Sequence, residues 1–264
     1  MVSGMAKLKS YSISVISIIC FFFIWHFGVK WSGVPNYLLP GPIEVAKSAW
    51  VLYSSGLIFP HIGITVLQML LGYFLGCIIA FLLGALVAEF VLAERIVFPY
   101  VVGFQSMPKV ALAPLLLVWF GFGMTFKVVL VALICFFPMF INTMTGLRSA
   151  NPDLVDLYRA FSAPRWLIFW DVKLPSAANS IFAGLQISIV LGLIGTVVGE
   201  FLAARQGLGH LIQSSSMNFD VGAMFTSVFT LSLIGVSANF VVRSIYRKVV
   251  YWEKPAFTAT VSGH

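Results

Sequence analysis

Five long stretches of the chain carry no charged side chain, and their lengths give the first indication of its structure. They contain 20 residues between Lys9 and Lys30, 41 between Lys47 and Glu89, 20 between Lys127 and Arg148, 26 between Lys173 and Glu200, and 22 between Asp220 and Arg243. An α-helix needs about 20 apolar residues to cross a hydrocarbon core of about 30 Å. Membrane-spanning strands would alternate apolar and polar positions, and no such alternation occurs in these stretches. The pattern therefore predicts membrane-spanning helices.

The same pattern places six spans along the chain, at about residues 10–31, 61–88, 95–121, 125–147, 176–203 and 222–247. The first span begins with two lysines before an apolar run, as a secretory signal does. That run is about 20 residues long and no small-x-small cleavage site follows it, which favours a retained span. Pro108 and Pro114 are expected to break the third span, because proline disrupts the hydrogen-bond ladder of a helix.

Composition supports a membrane location. Of the 264 residues, 60% are hydrophobic and 9% are charged, and the mean hydropathy is +0.99. A soluble domain is normally about 25% charged, so this chain has too few charges to cover a surface that faces water. The expected fold class is an all-α membrane protein, with one transmembrane domain over residues 1–264 and a core at about 61–250.

The distribution of Lys and Arg predicts the orientation. Six spans place both termini on one side, and eleven basic residues fall on that side: Lys7, Lys9, Arg95, Arg148, Arg159, Arg165, Lys173, Arg243, Arg247, Lys248 and Lys254. Four fall on the other side, namely Lys30, Lys47, Lys127 and Arg205, while Lys109 lies within a span. Because the cytoplasmic flanks of spans carry the excess of positive charge, both termini are expected in the cytoplasm. The polar segment at about 151–173, between the fourth and fifth spans, is then cytoplasmic as well.

Two smaller features predict local structure on the opposite side and inside the membrane. Pro42 suits the first turn of a short helix along the membrane interface, and the glycine-rich piece at 204–220 is too polar to span. Gly72 with Gly76 and Gly195 with Gly199 are small-xxx-small spacings that let helices approach closely. Since the chain has 22 glycines, chance matches and real helix contacts both stay open for these pairs.

The residues that would support catalysis are missing from the sequence. It contains no G-x-x-x-x-G-K-S/T motif, so no P-loop binds ATP in this chain. The four histidines are scattered, and none pairs with Cys, Asp or Glu at a metal-ligand spacing. Glu200 is the only carboxylate well inside a predicted span. We therefore expect no enzyme, no metal and no cofactor in this chain. The net charge of +7 reflects mainly the asymmetry at the span ends, and no nucleic-acid partner is expected.

The cytoplasmic segment has the signals of two short helices. Asn151-Pro152 can start the first helix, and acidic residues favour its first turn. Pro164 ends that helix, because a proline disfavours helical conformation in the residue before it, and it can open the second. The segment is expected to expose Phe161, Trp166 and Phe169 beside Arg159 and Arg165. Two interpretations stay open, an interfacial loop with an aromatic belt and a surface that docks a protein.

The spacing of this segment resembles the EAA loop of ABC-importer permeases, which reads Glu-Ala-Ala, three residues, Gly, and later Phe-x-x-Ile-x-Leu-Pro. Phe169 and Leu174-Pro175 match the end of that pattern, Val172 stands at its isoleucine, and Asp156-Leu157-Tyr158 stand at Glu-Ala-Ala, where only the acidic character is kept. Ser162 stands at the glycine, although serine lacks the conformational freedom of glycine.

Five further stretches look like successive landmarks of the nitrate/sulfonate/taurine/bicarbonate permease family. They are YLLPGPIEV, HIGITVLQMLLGYFLG, SMPKVALAPLLLVWFGFG, FFPMFINTMTGLR and GEFLAARQGLGHLI, and they occur in family order over about residues 37–250. The chain thus resembles a permease with the MetI-like fold of type I importers. Gln68 departs from the family, which often carries an arginine at that position.

This resemblance implies a permease subunit that moves a small, anionic solute, such as a sulfonate, taurine, nitrate or bicarbonate, into the cytoplasm by alternating access. It implies a homodimer of permeases in the bacterial inner membrane, two cytoplasmic ATP-binding subunits that hold ATP and Mg, and a periplasmic or lipid-anchored substrate-binding protein. The residues that it assigns to ATPase coupling are Asp153, Asp156, Tyr158, Arg159, Ala160, Phe161, Ser162, Ala163, Pro164, Arg165, Trp166 and Phe169.

Polar residues inside the predicted spans are candidates for the translocation path. They are Gln105, Ser106, Lys109, Asn142, Thr143, Gln186, Thr196 and Glu200. Lys109 is either a functional charge in the membrane or a side chain that snorkels from a span end. Thr196 and Glu200 share a helix face four residues apart. Glu200 resembles the acidic residue of the family before the glycine-rich outer loop, where it would be a gate or a structural cap.

A secondary transporter or channel that works alone is the alternative function. Such a protein would be expected to show inverted internal repeats and several buried ionisable groups, and this sequence shows neither. An intramembrane enzyme is disfavoured by the missing catalytic pairs.

Overall fold

The structure is a computed structural model that describes residues 16–17, 19–31, 33, 35 and 38–252, and every regular element in these ranges is helical. Residues 10–15 of the first predicted span and the terminal charges Lys7, Lys9 and Lys254 lie outside the described residues. The helices are α1 (Ile19–Trp31), α2 (Pro42–Ser54), α3 (Ile58–Glu89), α4 (Val91–Ser106), α5 (Ala113–Phe120), α6 (Met124–Arg148), α7 (Pro152–Ala160), α8 (Arg165–Ile168), α9 (Leu174–Ala203), α10 (Leu208–Met217) and α11 (Val221–Val249). A 3-10 turn at Lys109–Leu112 precedes α5, and a π-helical turn at Phe169–Lys173 joins α8 to α9.

Within the described ranges, four helical stretches are long and apolar enough to cross a membrane: α3, α6, Arg165–Ala203 and α11. They confirm, by length and composition, the predicted second, fourth, fifth and sixth spans. The helix α1 is apolar but shorter, and it covers the described part of the predicted first span.

The predicted third span, at 95–121, is not one straight helix. Leu92–Ser106 and Lys109–Phe120 are inclined to each other by 84°, and counting this pair as one broken span gives five in the described residues. Met107 at the break has a ψ angle of 138°, because a residue that precedes proline is driven out of the helical region, and Pro108 itself has a ψ angle of 93°. The break expected at Pro108 is confirmed. Pro114 lies in the first turn of α5, where its missing N–H breaks no helical hydrogen bond.

The described residues form two compact units. One comprises those up to Gly63 together with Gln206–Leu231, and contains α1, α2, α10 and the first part of α11. The other comprises Ile64–Arg205 together with the described residues from Ser232 onward. This second unit contains most of α3, the elements from α4 to α9, and all candidate residues for coupling and for the translocation path.

In the first unit, α2 begins at Pro42 as predicted. The Gly41 N–H donates to the Glu44 carboxylate at 3.0 Å and caps the start of this helix. The hydroxyls of Tyr53 and Thr230 are hydrogen bonded at 3.0 Å, which ties α2 to α11. The contact between α2 and α11 thus includes a side-chain hydrogen bond.

The second unit is built around α3, α6 and α9, whose buried side chains form one apolar core. The helices α3 and α6 touch at glycines. A Cβ atom at Gly72 would lie 2.4 Å from Cβ of Val131, and one at Gly76 would lie 2.4 Å from the backbone oxygen of Ala132. Any larger residue would push the helices apart, so the small-xxx-small spacing in α3 is a real helix contact.

The helices α6 and α9 pack against each other in antiparallel directions along almost their whole length. Glycine again permits the contact at successive levels, where an added Cβ would meet the facing helix at 2.7 to 3.3 Å. These contacts join Gly146 to Ser180, Gly184 to Asn142, Gly192 to Cys135, Gly195 to Ile134 and Gly199 to Lys127. The second small-xxx-small spacing, Gly195 with Gly199, is thus also a real contact.

Candidate functional site

The polar segment between α6 and α9 folds as its sequence signals predict. The helix α7 starts at Pro152, and the side chain of Asn151 accepts a hydrogen bond from the Asp153 N–H at 2.9 Å. An N-terminal cap of this kind satisfies one of the free N–H groups of the first turn, and Asp153 complements the helix dipole there. The start of the first helix at Asn151-Pro152 is confirmed.

The end of α7 is a Schellman motif centred on Ser162. This serine has a φ angle of 56°, the left-handed conformation that glycine adopts most easily. The Ala163 N–H donates to the Tyr158 carbonyl at 3.0 Å, and the Ser162 N–H donates to the Arg159 carbonyl at 2.9 Å. Although serine replaces glycine at this position of the EAA-type pattern, the turn has the conformation that a glycine would permit.

The second helix of the segment begins directly after Pro164, which has the extended angles of a capping residue (φ −66°, ψ 153°). The sequence predicted a short helix here that is separate from the fifth span, but the structure shows no such separation. Arg165–Ala203 is one helical stretch, because the wider π-helical turn at Phe169–Lys173 leads into α9. A proline ring collides with the preceding turn of a regular helix, and a π-helical turn just before Pro175 gives room at that point.

The inner face of the segment is fixed by a small apolar cluster. Val155 of α7, Ile168 of α8 and Val172 of the π-helical turn are buried together, and Tyr158 and Ala163 pack against them. The two short helices therefore form a supported pair rather than a slack loop. Tyr158, which stands where the EAA pattern has an alanine, uses its extra size in this contact.

The outer face of the segment carries aromatic and charged side chains. Phe161 is 80% exposed and Trp166 is 65% exposed, and Arg159 and Arg165 are exposed beside them. Arg159 forms an ion pair with Asp156 at 3.1 Å, and such exposed pairs contribute only about 0–1 kcal/mol to stability. The exposed side chains thus do little to hold the segment together and are free for other contacts.

One predicted member of this outer face is placed differently. Phe169 is half-buried and packs against the main apolar core, whereas the adjacent Trp170 is 58% exposed. The sequence pattern could not separate them, because the π-helical turn shifts the direction of side chains. Of the predicted coupling residues, Tyr158, Ala163 and Phe169 are half-buried, and Asp153, Asp156, Arg159, Ala160, Phe161, Ser162, Pro164, Arg165 and Trp166 are exposed.

Two ion pairs connect the ends of neighbouring helices next to the segment. Lys173 in the π-helical turn pairs with Glu89 at the end of α3, at 2.6 Å. Arg148 at the end of α6 pairs with Glu94 in α4. Both pairs are partly buried, so they are screened less than the exposed pair of α7. The first pair links the segment to α3, and the second links α6 to α4 beside it.

A cleft of about 560 Å³ lies between the start of α4 and the two short helices. Its basic residues are Arg159, Arg165 and Lys173, of which Lys173 is paired with Glu89, another residue of the lining. Phe90, Leu92 and Ile168 supply its apolar lining. The cleft continues the exposed arginine and aromatic face of the segment.

The predicted path residues at the break before α5 lie on the surface of the second unit. Gln105 and Ser106 are exposed, and Lys109 is half-buried. The Lys109 ammonium donates to the Gln105 carbonyl at 2.7 Å and lies 5.0 Å from the centre of the Phe137 ring. Lys109 therefore caps the end of α4 and makes a cation–π contact with α6.

The path residues on α6 and α9 differ in exposure. Asn142 is half-buried, with its amide donating to the Pro138 carbonyl at 2.8 Å, and Gln186 is half-buried as well. Thr143 is completely buried beside Gly84, and its hydroxyl has no hydrogen-bond partner among the described residues. Within the described chain, the hydrogen bonds of Asn142 do not connect it to the break at Lys109, so these candidates do not form one continuous polar site.

Glu200 lies in a second polar cluster, at the far end of α9. Its side chain is completely buried and accepts a hydrogen bond from the Thr65 hydroxyl of α3 at 2.8 Å. Thr196 shares the face of Glu200 as predicted, but its hydroxyl donates to the Gly192 carbonyl at 2.9 Å. The Lys127 side chain, only 6% exposed, lies within range of the electrostatic attraction of Glu200.

Lys127 and Thr65 are residues of this cluster that the sequence did not single out. The sequence counted Lys127 among the basic residues on the side opposite the termini, and the structure adds that its side chain is buried in the first turn of α6. Its position inside the predicted span at 125–147 was the available signal. Thr65 gave no signal, because a threonine in an apolar helix is common.

The fold and these sites together define an integral membrane protein that carries a supported, exposed helical segment between two membrane-crossing helices. The chain belongs to the family described as binding-protein-dependent transport system inner membrane component, which matches residues 72–251. It is accordingly the permease subunit of an ABC importer and not itself an enzyme. This family membership decides against the alternative of a transporter or channel that works alone.

Relatives of similar length carry several transport names. The chain is 33% identical over 88% of its length to the formylaminopyrimidine transport permease protein ThiX of Halalkalibacterium halodurans, covering 92% of that protein. It is 37% identical over 87% of its length to the riboflavin transport system permease protein RibX of Chloroflexus aurantiacus, covering 85% of that protein. A permease of Bacillus subtilis named for aliphatic sulfonates transport is 28% identical over 82% of this chain and 78% of its own.

Solved structures show the same fold. The chain in a structure described as inward facing conformations of the MetNI methionine ABC transporter superposes with a TM-score of 0.66 at 20% identity, covering 74% of this chain and 97% of that chain. The predicted all-α, MetI-like permease fold is confirmed. Permeases of this kind work with ATP-binding subunits and a substrate-binding protein in the membrane.

Proposed function

We propose that this permease imports its solute by alternating access and that the segment at residues 151–173 is the element moved by an ATP-binding partner. The observation that carries the proposal is the form of the segment. Its two short helices are fixed on the inside by Val155, Ile168 and Val172 and expose Phe161 and Trp166 beside arginines on the outside. Aromatic and arginine side chains on a supported surface are the residues that dominate protein–protein binding energies.

The segment is also mechanically connected to the rest of the unit. Its second helix continues into α9, and the Lys173–Glu89 pair links it to α3. A displacement of the exposed face is therefore carried into the membrane-crossing helices, as a two-state change driven by a partner requires.

The assembly that we propose contains two copies of this chain, two ATP-binding subunits that hold ATP and Mg, and one substrate-binding protein. Both termini and the coupling segment face the cytoplasm, in accord with the excess of Lys and Arg on that side. No P-loop motif occurs in the sequence, so ATP hydrolysis belongs to the partner subunits.

The translocation path involves the half-buried polar residues of the second unit. Lys109 at the helix break, Asn142 on α6 and Gln186 on α9 are the candidates whose side chains keep some exposure, with Gln105 and Ser106 at the same break. Thr143, Thr196 and Glu200 are completely buried in this conformation and act within the protein rather than on the solute.

The solute is a small heteroaromatic compound of the pyrimidine or flavin type. Two relatives that are more than 30% identical, named for formylaminopyrimidine and riboflavin transport, support this choice. The second candidate is a small anionic solute such as a sulfonate, taurine, nitrate or bicarbonate, which the sulfonate-named relative at 28% identity supports.

Purification of the tagged chain from membranes of its source bacterium tests the coupling assignment. ATP-binding subunits should co-purify with the parent chain and with Arg205→Glu, which changes an exposed arginine of the same unit outside the segment. Arg165→Glu should lose them, since it reverses a charge on the proposed docking face. Retention of the subunits by Arg165→Glu at the parent ratio would contradict the assignment, and the absence of any ATP-hydrolysing subunit from the parent would contradict the assembly.

Uptake by cells with and without a functional copy of this chain tests the solute. Labelled riboflavin, a labelled formylaminopyrimidine, taurine and nitrate are compared in matched strains. We expect the deletion to abolish high-affinity uptake of one heteroaromatic compound and to leave the two anions unaffected. Loss of taurine or nitrate uptake alone would replace the first candidate by the second.

A further inference from the structure

The buried cluster around Glu200 joins three helices at one level of the second unit. Thr65 belongs to α3, Lys127 to α6 and Glu200 to α9. The Thr65 hydroxyl donates to Glu200 at 2.8 Å in a fully buried environment. The stem of Lys127 rests against Gly199, where an added Cβ would lie 3.3 Å from its Cγ atom.

Such a cluster is costly unless its charges are compensated. A carboxylate and an ammonium that leave water lose solvation, which is recovered only if each finds an opposite charge or a hydrogen bond. Here Glu200 has a hydroxyl donor from one helix and a positive charge from another. This part of the compensation requires α3, α6 and α9 to stay together at this end, so the cluster favours their joint position.

The cluster and the coupling segment lie at opposite ends of the same helices. The helix α6 begins next to Lys127 and ends at Arg148, whose partner is Glu94. The helix α9 begins after Lys173, whose partner is Glu89, and ends just past Glu200. Between the two ends, glycine contacts hold α6 against α9 at five levels and α3 against α6.

We propose that Thr65, Lys127 and Glu200 form a polar clamp that makes α3, α6 and α9 move as one rigid body during transport. The inference rests on the proposed function, because it assigns the clamp to the end remote from the ATP-driven segment. With the clamp closed, a displacement at the coupling segment reaches the remote end of α9. With the clamp broken, the helices splay at that end and the displacement is dissipated. The three residues are positioning residues and do not contact the solute.

The test follows movement at the remote end of α9 in the complex purified from source-cell membranes through a tag on this chain. Arg205→Cys places a reporter thiol at an exposed position two residues past α9. Its reaction rate with a membrane-impermeant maleimide is compared between the nucleotide-free complex and the complex trapped with ATP and vanadate. The chain without the reporter gives the background from its own cysteines.

We expect the two rates to differ by about fivefold or more in the reporter chain, the lower limit of ordinary coupling between distant sites. Glu200→Gln and Lys127→Met should each remove the difference while the ATP-binding subunits still co-purify and hydrolyse ATP. Thr65→Val removes only the hydroxyl donor and should reduce the difference between the two rates. This variant provides the test if the charge variants fold poorly. Gln68→Leu is the matched control: Gln68 is buried one turn along α3, its side-chain oxygen has no hydrogen-bond partner in the part of the chain that the structure describes, and its removal should leave the rate difference unchanged.

The double variant Lys127→Met with Glu200→Gln should recover part of the difference, since it leaves no uncompensated charge. If the difference in reaction rate between the two nucleotide states stays at the parent value in Glu200→Gln and Lys127→Met, the proposed clamp is contradicted. Equal rates in both states of the reporter chain would overturn it as well, because the clamp requires that end to move. Either result leaves the proposed function standing as long as the ATP-binding subunits co-purify, and their absence would instead contradict the proposed function.

Discussion

The coupling segment and the polar clamp carry similar charged residues under opposite conditions. In the segment, Arg159 and Asp156 are exposed and pair at 3.1 Å across a single turn of α7. In the clamp, Glu200 is completely buried, and its partners come from two other helices. Water screens the first pair, so its loss costs little and its side chains are available to a partner. Water does not reach the buried Glu200 side chain to replace these partners, so the clamp contributes to holding the helices together.

The largest effect that distinguishes the two regions is expected from removing a carboxylate in each. Glu200→Ala removes the acceptor of the buried Thr65 hydroxyl and leaves a cavity at a fully buried position, and it should lower the free energy of unfolding by about 3–5 kcal/mol. Asp156→Ala, the matched change in the segment, should lower it by about 0–1 kcal/mol. Unfolding of the purified chain in mixed micelles measures both values. Losses of equal size in the two variants would show that burial does not separate the regions.

A smaller effect is expected where the helices between the two regions touch. Gly76→Ala would bring a methyl group within 2.4 Å of the Ala132 backbone oxygen, and backbone cannot move aside as a side chain can. Such overpacking should cost about 1–3 kcal/mol. The control is Gly103→Ala in α4, where an added Cβ meets nothing within 4 Å. If Gly103→Ala destabilises the chain as much as Gly76→Ala in the same unfolding assay, close helix contact is not the cause.

Ser162 allows a test of backbone strain in the segment. Because its φ angle of 56° is unfavourable for any residue with a Cβ, Ser162→Gly should raise the free energy of unfolding by up to about 1 kcal/mol. Ser162→Val should lower it, since a branched side chain adopts this conformation least easily. Opposite signs in the unfolding assay are the expected result, and a loss of stability in Ser162→Gly would contradict the Schellman turn.

The smallest effect on stability should accompany a large effect on association. Phe161→Ala removes a ring that is 80% exposed, so the free energy of unfolding should change by about 0.5 kcal/mol or less. Co-purification of the ATP-binding subunits should nevertheless fall about tenfold, the cost of losing an aromatic anchor. Phe122→Ala is the control, because Phe122 is 79% exposed in the same unit but lies between α5 and α6. If Phe161→Ala and Phe122→Ala retain the ATP-binding subunits equally, Phe161 is not part of the docking face.

The helices of the coupling segment were predictable because their signals are local. The cap at Asn151, the proline at Pro152 and the break at Pro164 each act on residues within one turn, and each appears where the sequence indicated. Phe169 was less predictable. Its direction depends on the π-helical turn, and that turn depends on how α9 accommodates Pro175 at its own start.

The buried cluster was only half predictable. Glu200 was identifiable as a lone carboxylate in an apolar run, but Lys127 resembled any basic residue at the end of a span. Whether such a lysine extends toward water or turns inward depends on the space and the charged groups that neighbouring helices place beside it. Gly199 leaves room for its stem and Glu200 supplies the opposite charge, and both belong to a helix more than seventy residues away in the chain.

By itself, the sequence determined that this is a helical membrane protein, where most of its spans lie, and that a polar segment with two short helices interrupts them before the fifth. Composition, apolar run length and proline position act locally or by summation, so they can be evaluated without knowing which helices touch. Only the tertiary structure decided that α3, α6 and α9 share one core and that Thr65, Lys127 and Glu200 meet at its end. Those facts depend on distances between helices, which glycine contacts set and no local pattern encodes.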